Sequence, residues 1–387
     1  MRLIPDIEFI TDVEIKSATD TAVKILRGNL KDFKGTFKAA VSDKNFYPKA
    51  ENTDWTNGFH TGQYWLAWEL TGENAFKDEA LFHVESFSKR IRENINVDHH
   101  DMGFLYSLSC IAAWQLVGSE SGRTAAIMAA DKLISRFHEK GGFIQAWGEL
   151  GAPNNYRLII DCLMNLPLLY RATEETKEQK YAKTADIHTT TSLKNLVRDD
   201  YSTYHTFFFD PESGAPLKGV THQGYRDSSP WARGQAWGMY GLALSYHYTK
   251  KPECVDLFRN VTEFFLGRLP KDGICYWDLE FIDGDDEPRD SSAAVIAACG
   301  MLEMAKYVPS EESELYIGIA KQLAGALARG YTAQPGSSDG LLLHGVYNNA
   351  SQYNPTRNMG VDECNLWGDY FWMELLTRLT KDWKVYW

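Results

Sequence analysis

The chain has no apolar run of about 18 residues, the length that a membrane-crossing helix needs, so no membrane span is expected. Its first residues, Met1-Arg2-Leu3-Ile4-Pro5-Asp6, lack the apolar stretch of a secretory signal. Cysteine is sparse, six in 387 residues, and none of Cys110, Cys162, Cys254, Cys275, Cys299 and Cys364 stands in CxxC spacing. Reduced thiols and a cytoplasmic location are therefore expected. Positive charge is in deficit: 40 Lys and Arg against 52 Asp and Glu give a net charge of −12. With no basic stripe to neutralise phosphates, nucleic acid is not expected as a partner. A small acidic substrate is not excluded, because a few local Arg, His or Gln side chains can bind a carboxylate within an acidic protein. Neither a P-loop nor GxGxxG occurs. Gly336-Ser337-Ser338-Asp339-Gly340 matches GxSxG, but no apolar strand precedes it and no long helix follows, so it reads as a loop.

What is present is aromatic and helical. The chain has 12 Trp, 20 Tyr and 19 Phe, and 44% of its residues are hydrophobic, enough for a large core. Two kinds of helical pattern interleave. Amphipathic segments run near residues 12–28, 74–95, 119–138, 176–197, 251–268 and 311–330. Between them lie segments that open on polar or aromatic residues and then become apolar or small on every side. These start near Trp55, Asp101, Arg157, Trp231, Asp290 and Asn365. A helix that is apolar all round is buried all round. Six outer–inner hairpins predict an all-α fold, an (α/α)6 barrel, formed as a single domain over residues 1–387. The irregular spacing of the inner starts argues against a solenoid. The longest connection, near 200–230, carries a hairpin signal at Thr206–Gly214. Long loops in a compact domain are usually functional, and these precede inner helices, so they gather at one end of the ring.

Two acids stand out. His99-His100-Asp101-Met102-Gly103-Phe104 opens one apolar helix, and the Asn155–Asn165 segment, with Asp161 in it, opens another. An Asp at a helix start is ordinarily a cap or a dipole partner. Here both sit among apolar and aromatic residues, where a carboxylate is costly unless paired or used. Two such acids suggest a pair built for proton transfer, and aromatic faces beside them point to a sugar ligand. His99 and His100 stand next to Asp101 without the spacing of a metal site, so no metal or other cofactor is expected. The Thr221–Gly238 segment is the densest polar–aromatic stretch. Trp231, Gln235 and Gly238 share one helical face, and Arg233 and Trp237 another. Core packing does not explain His222, Gln223 and Arg233, and Arg suits planar recognition of a carboxylate.

At these residues the chain resembles glycoside hydrolase family 88, the unsaturated glucuronyl hydrolases. The resemblance runs through Asp54–Phe59, His99–Phe104, Ala146-Trp147-Gly148, Arg157–Asn165, His222–Gly238, His344–Tyr347, Asn365–Phe371 and Lys381–Trp387. Family 105, the unsaturated rhamnogalacturonyl hydrolases, is the nearest competitor. The resemblance implies an (α/α)6 barrel. It also implies a substrate with a 4,5-unsaturated uronic acid at the non-reducing end, as polysaccharide lyases leave behind. It places Asp161 as general acid and base with Asp101 as its partner. It places Trp55, His100, Trp147, His205, Gln223, Trp231, Arg233 and Trp237 around the sugar. Protonation of C4 and attack of water at C5 then open the ring and release the glycosidic bond, which differs from the two carboxylates flanking C1 in ordinary glycosidases. Asp161 must start protonated, so an apolar site and the charge on Asp101 are expected to raise its pKa. A sugar-binding barrel without catalysis would keep the tryptophans but not need both acids. Between Tyr347 and Asp362 the chain departs from the family. It lacks the Ser-Gly-Lys-Gly loop of members that favour sulfated units, and Arg357 is left to stand in for the lysine. The assembly expected is a monomer or a weak homo-oligomer.

Overall fold

The computed structural model describes all 387 residues. Six outer helices alternate with six inner ones along the chain. The outer set is α1 (Asp12–Asp32), α3 (Asn74–Arg92), α6 (Glu120–Ile134), α9 (Gln179–Leu196), α11 (Pro252–Leu266) and α13 (Ser310–Gly330). The inner set is α2 (Asn57–Thr71), α4 with α5 (Met102–Tyr106 and Ala112–Val117), α7 with α8 (Cys162–Asn165 and Pro167–Thr176), α10 (Ala232–Thr249), α12 (Ser291–Met304) and α14 (Leu366–Thr380). This is the (α/α)6 barrel expected from the alternation. Every residue of α12 except Leu302 is buried. In α11, by contrast, Cys254, Phe258, Val261, Thr262 and Phe265 form one buried stripe, flanked by half-buried Val255, Leu257, Phe264 and Leu266, and Glu253, Asp256 and Glu263 face outward.

Two inner helices are broken, each near its acid. A π-helical turn, Ser107–Ile111, separates α4 from α5; such turns recur at functional sites. Pro167 opens α8 just after α7 ends. One sequence expectation is corrected here. The helix does not begin near Arg157: Arg157–Ile159 is a strand, β1, and the helix starts only after Asp161. β1 pairs antiparallel with β2 (Thr206–Phe209), which pairs with β3 (Pro216–Val220). Leu158 and Ile159, apolar and buried, are satisfied better in a ladder beside a free neighbouring strand than in a helix start. The hairpin expected at Thr206–Gly214 is present, but its second strand lies beyond that window. A second hairpin, β4 (Gly345–Asn348) with β5 (Met359–Glu363), precedes α14.

The opposite end of the ring is closed by buried charge. Arg378 donates to Glu303 at 3.0 Å and to Glu374 at 3.0 Å, and also to the Tyr240 hydroxyl. Trp387 Nε1 donates to Glu374 at 2.9 Å. These residues tie α10, α12 and α14 together under the core.

Candidate active site

Asp101 and Asp161 each occupy the residue before an inner helix, and neither side chain caps that helix. Asp290, in the same position before α12, does cap, accepting from the Ser292 amide. The two carboxylates are therefore free for other work. Their helices are pinned to each other. Asn165, at the end of α7, accepts from the Phe104 amide of α4 at 2.8 Å and donates to the Asp161 carbonyl at 3.2 Å. A Cβ on Gly103 would fall 2.4 Å from Asn165 Cα, so only glycine permits this approach.

His100 lies between the acids. Its Nε2 is 3.4 Å from Asp101 Oδ1 and 3.4 Å from Asp161 Oδ1. Burial lowers the His100 pKa to about 4, so it is a neutral imidazole at neutral pH. Burial, then the charge on Asp101, raises Asp161 well above the usual carboxylate range. Asp101 moves the other way. Burial opposes its ionisation, but His100, His99 and Arg90 favour the anion and hold it below its usual value. His99 Nδ1 lies 3.0 Å from Asp101 Oδ2. The pair thus divides into one acid that keeps its proton and one that does not.

The two acids and the eight residues expected around the sugar line one cavity of about 240 Å³. Trp55 donates to the Tyr347 hydroxyl at 3.0 Å and stacks on Trp367. Trp237 is buried against Phe104 and Phe371. Trp231 lies against His205 at a ring distance of 4.2 Å. His205 Nδ1 accepts from the amides of His222 and Gln223, at 2.9 and 3.1 Å. That fixes the tautomer and leaves Nε2–H as a donor. Trp147 faces His222, with ring centroids 5.6 Å apart. Arg233, read from the sequence as suited to planar recognition of a carboxylate, lines the cavity with a heavily bonded guanidinium. Its guanidinium donates to Asp290 at 3.1 Å, to the Val346 and Tyr347 carbonyls and to Gln223 Oε1, and it is stacked by Trp231 and Trp367. It braces the wall with most of its donors already committed.

Sequence reading did not assign three lining residues: His222, Tyr347 and Asn348. His222 and Tyr347 were visible within the motifs. Asn348 carried no signal of its own, because only the β4 register brings it to the cavity. The segment that departs from the family, between β4 and β5, docks on the 222–225 loop. Asn354 Nδ2 donates to the Gly224 carbonyl at 2.8 Å and to that of His222 at 3.2 Å, and Ser351 Oγ donates to the Tyr225 carbonyl at 2.6 Å. Arg357 is exposed and does not line the cavity, so it is not placed as the expected substitute for a lysine. His100, Asp101 and Asp161 each offer one ligand atom within 4.8 Å of the others, the grouping that a divalent cation would use. Such an ion would strip the proton from Asp161, so the two chemistries exclude each other at this site.

Glycosyl Hydrolase Family 88 matches residues 30–316. The chain is 48% identical to the unsaturated chondroitin disaccharide hydrolase of Streptococcus pneumoniae, over 99% of this chain and 96% of that one. The crystal structure of the unsaturated glucuronyl hydrolase from Streptococcus agalactiae superposes with a TM-score of 0.94 at 47% identity, covering 98% of this chain and 95% of that one. A variant of that protein complexed with dGlcA-GalNAc6S superposes with a TM-score of 0.87 at 42% identity, covering 99% and 95%. No helix of the present chain is long and apolar enough to cross a membrane.

Proposed function

The chain belongs to Glycosyl Hydrolase Family 88, and from that premise we propose that it releases the 4,5-unsaturated uronic acid from the non-reducing end of lyase-generated glycosaminoglycan-type oligosaccharides. It is a glycoside hydrolase, acting as one catalytic domain over the whole chain. The observation that carries the reading is the pair of carboxylates, Asp101 and Asp161, each 3.4 Å from His100 Nε2 in a cavity walled by Trp55, Trp147 and Trp231.

Asp161 gives its proton to C4 of the unsaturated ring. The C4=C5 electron pair forms the new C4–H bond, and the positive charge that develops at C5 is shared with the ring oxygen. The Asp101 carboxylate stabilises that charge. Water adds at C5 and returns a proton to Asp161, giving a hemiketal. The hemiketal opens, and the glycosidic bond breaks as a consequence. Trp231, Trp147 and Trp55 supply flat apolar faces for the rings, and His205 and Gln223 supply donors.

Unsaturated disaccharides of the chondroitin and rhamnogalacturonan types, assayed by loss of double-bond absorbance, test the substrate class. Turnover of the glucuronyl members is expected, and turnover of the rhamnogalacturonyl member alone would overturn the reading. In D2O the product should carry deuterium at C4; its absence would return the pair to attack at C1. Dialysis against EDTA should leave the rate unchanged. Loss of rate that a divalent cation restores would make the same three residues ligands instead.

A further inference from the structure

Arg157 stands behind the Trp147 wall of the cavity and is not itself among its lining residues. Its guanidinium lies over the Trp147 ring at 4.4 Å and over the Phe208 ring at 5.2 Å. Its Nε is buried and has no hydrogen-bond partner. No carboxylate offsets its charge: burial alone acts on it. A stacked guanidinium keeps its donors in the plane of the fork, directed past the edges of the rings. Trp147, the ring it lies on, forms one wall of the cavity beside His100 and His222.

The cavity needs such a group. Asp101 presents a negative charge inside it, and an acidic sugar brings another. Arg233 is balanced by Asp290 and spends donors on the β4 backbone. His100 and His205 are driven towards the neutral form by burial, and so is His222 at the mouth. Arg157 is left as the unbalanced cation next to the site.

We propose that Arg157 is an anion-recognition residue at the edge of this pocket, taking an oxyanion of the acidic sugar through its terminal guanidinium nitrogens, which donate to no protein group. The inference rests on the proposed substrate class and deepens it. The oxyanion is either the carboxylate of the unsaturated uronate or a sulfate ester on the neighbouring sugar.

The test compares wild type, Arg157→Gln and Arg157→Lys on an unsulfated and a 6-sulfated unsaturated glucuronyl–hexosamine disaccharide, at low and high salt. Loss of a charge-assisted hydrogen bond should lower kcat/KM of Arg157→Gln by roughly ten- to a hundredfold. A loss on both substrates identifies the carboxylate, and a loss confined to the sulfated one identifies the sulfate ester. Arg157→Lys should recover part of the rate, and the decline of kcat/KM with salt should be shallower in Arg157→Gln than in wild type. The inference is overturned if both substrates keep kcat/KM within about twofold. It is also overturned if the loss is not recovered by lysine and the salt dependence is unchanged, because that pattern belongs to ring packing alone. Failure of wild type to turn over either disaccharide would sink the proposed function instead. Quenching of tryptophan fluorescence by glucuronate and by N-acetylgalactosamine 6-sulfate would then decide the Arg157 role: weaker binding of either in Arg157→Gln supports it and equal binding of both refutes it.

Discussion

Asp101 and Asp161 have the same carboxyl group and the same place at a helix start, and their surroundings drive them in opposite directions. Asp161 has the raised pKa, so its folded form holds a proton that the unfolded chain releases. Its contribution to stability is therefore full below the unfolded value and is lost as pH rises towards the folded one. Asp161→Asn removes that slope. Turnover should fall by about 10²–10⁴-fold, while the melting temperature of the variant relative to wild type should climb as pH rises from acid to neutral. A difference that stays flat with pH would refute the raised pKa, whatever the activity does. Asp101→Asn removes the like charge, so the alkaline limb of its kcat/KM profile should move to lower pH. If the limb stays in place, Asp101 acts through position only.

At the scale of the element, the separation of the acids is set by how closely α4 and α7 approach. The Asn165 bridge and the bare Cα of Gly103 hold the two helix starts in contact. Gly103→Ala would place a methyl group against the Asn165 backbone, which cannot swing aside as a side chain can. The cost in stability is about 1–3 kcal/mol. A displacement on the order of 1 Å at the acids would lower kcat by about 10²-fold. Gly300→Ala provides the control. It crowds Tyr240 Cα at 2.9 Å, between α12 and α10, neither of which carries an acid of the pair. It should destabilise without a comparable loss of kcat, and equal kcat losses in the two variants would show that the α4–α7 approach has no special role.

At the scale of the molecule, the candidate site lies at one end of the ring and a buried ionic network at the other. Arg378 neutralises Glu303 and Glu374, both fully buried. Removing one partner of a buried pair leaves the other charge stranded, so Arg378→Met should cost about 3–5 kcal/mol at neutral pH. Glu303 lies below its usual range; burial opposes this, while His247, Arg378 and Lys306 hold it down. The stability it contributes is present above the unfolded value and lost as pH falls, so the gap between variant and wild type should narrow in acid. Thermal melts at several pH values measure this. A gap that does not change with pH would mean that Arg378 stabilises through packing alone.

The barrel was legible in the sequence because burial has a periodic signature. A helix buried on all sides, such as α12, and a helix with one apolar stripe, such as α11, differ in composition as well as place. The two acids were legible because a carboxylate in an apolar setting conflicts with its own solvation. Local signals did not extend to the start of α7. Leu158, Ile159 and Ile160 suit a strand and an apolar helix equally, and the choice depends on β2, nearly fifty residues further along the chain. Nor could the sequence divide the work between its arginines. Arg233 read as the candidate for an acidic ligand, and Arg157 only as the start of the segment that leads to Asp161. Only the fold brings Asp290 and the β4 carbonyls to one and leaves the other on Trp147 and Phe208 without an acid. Patterning of a segment is a property of neighbours along the chain, whereas the balance of a charge depends on neighbours in space.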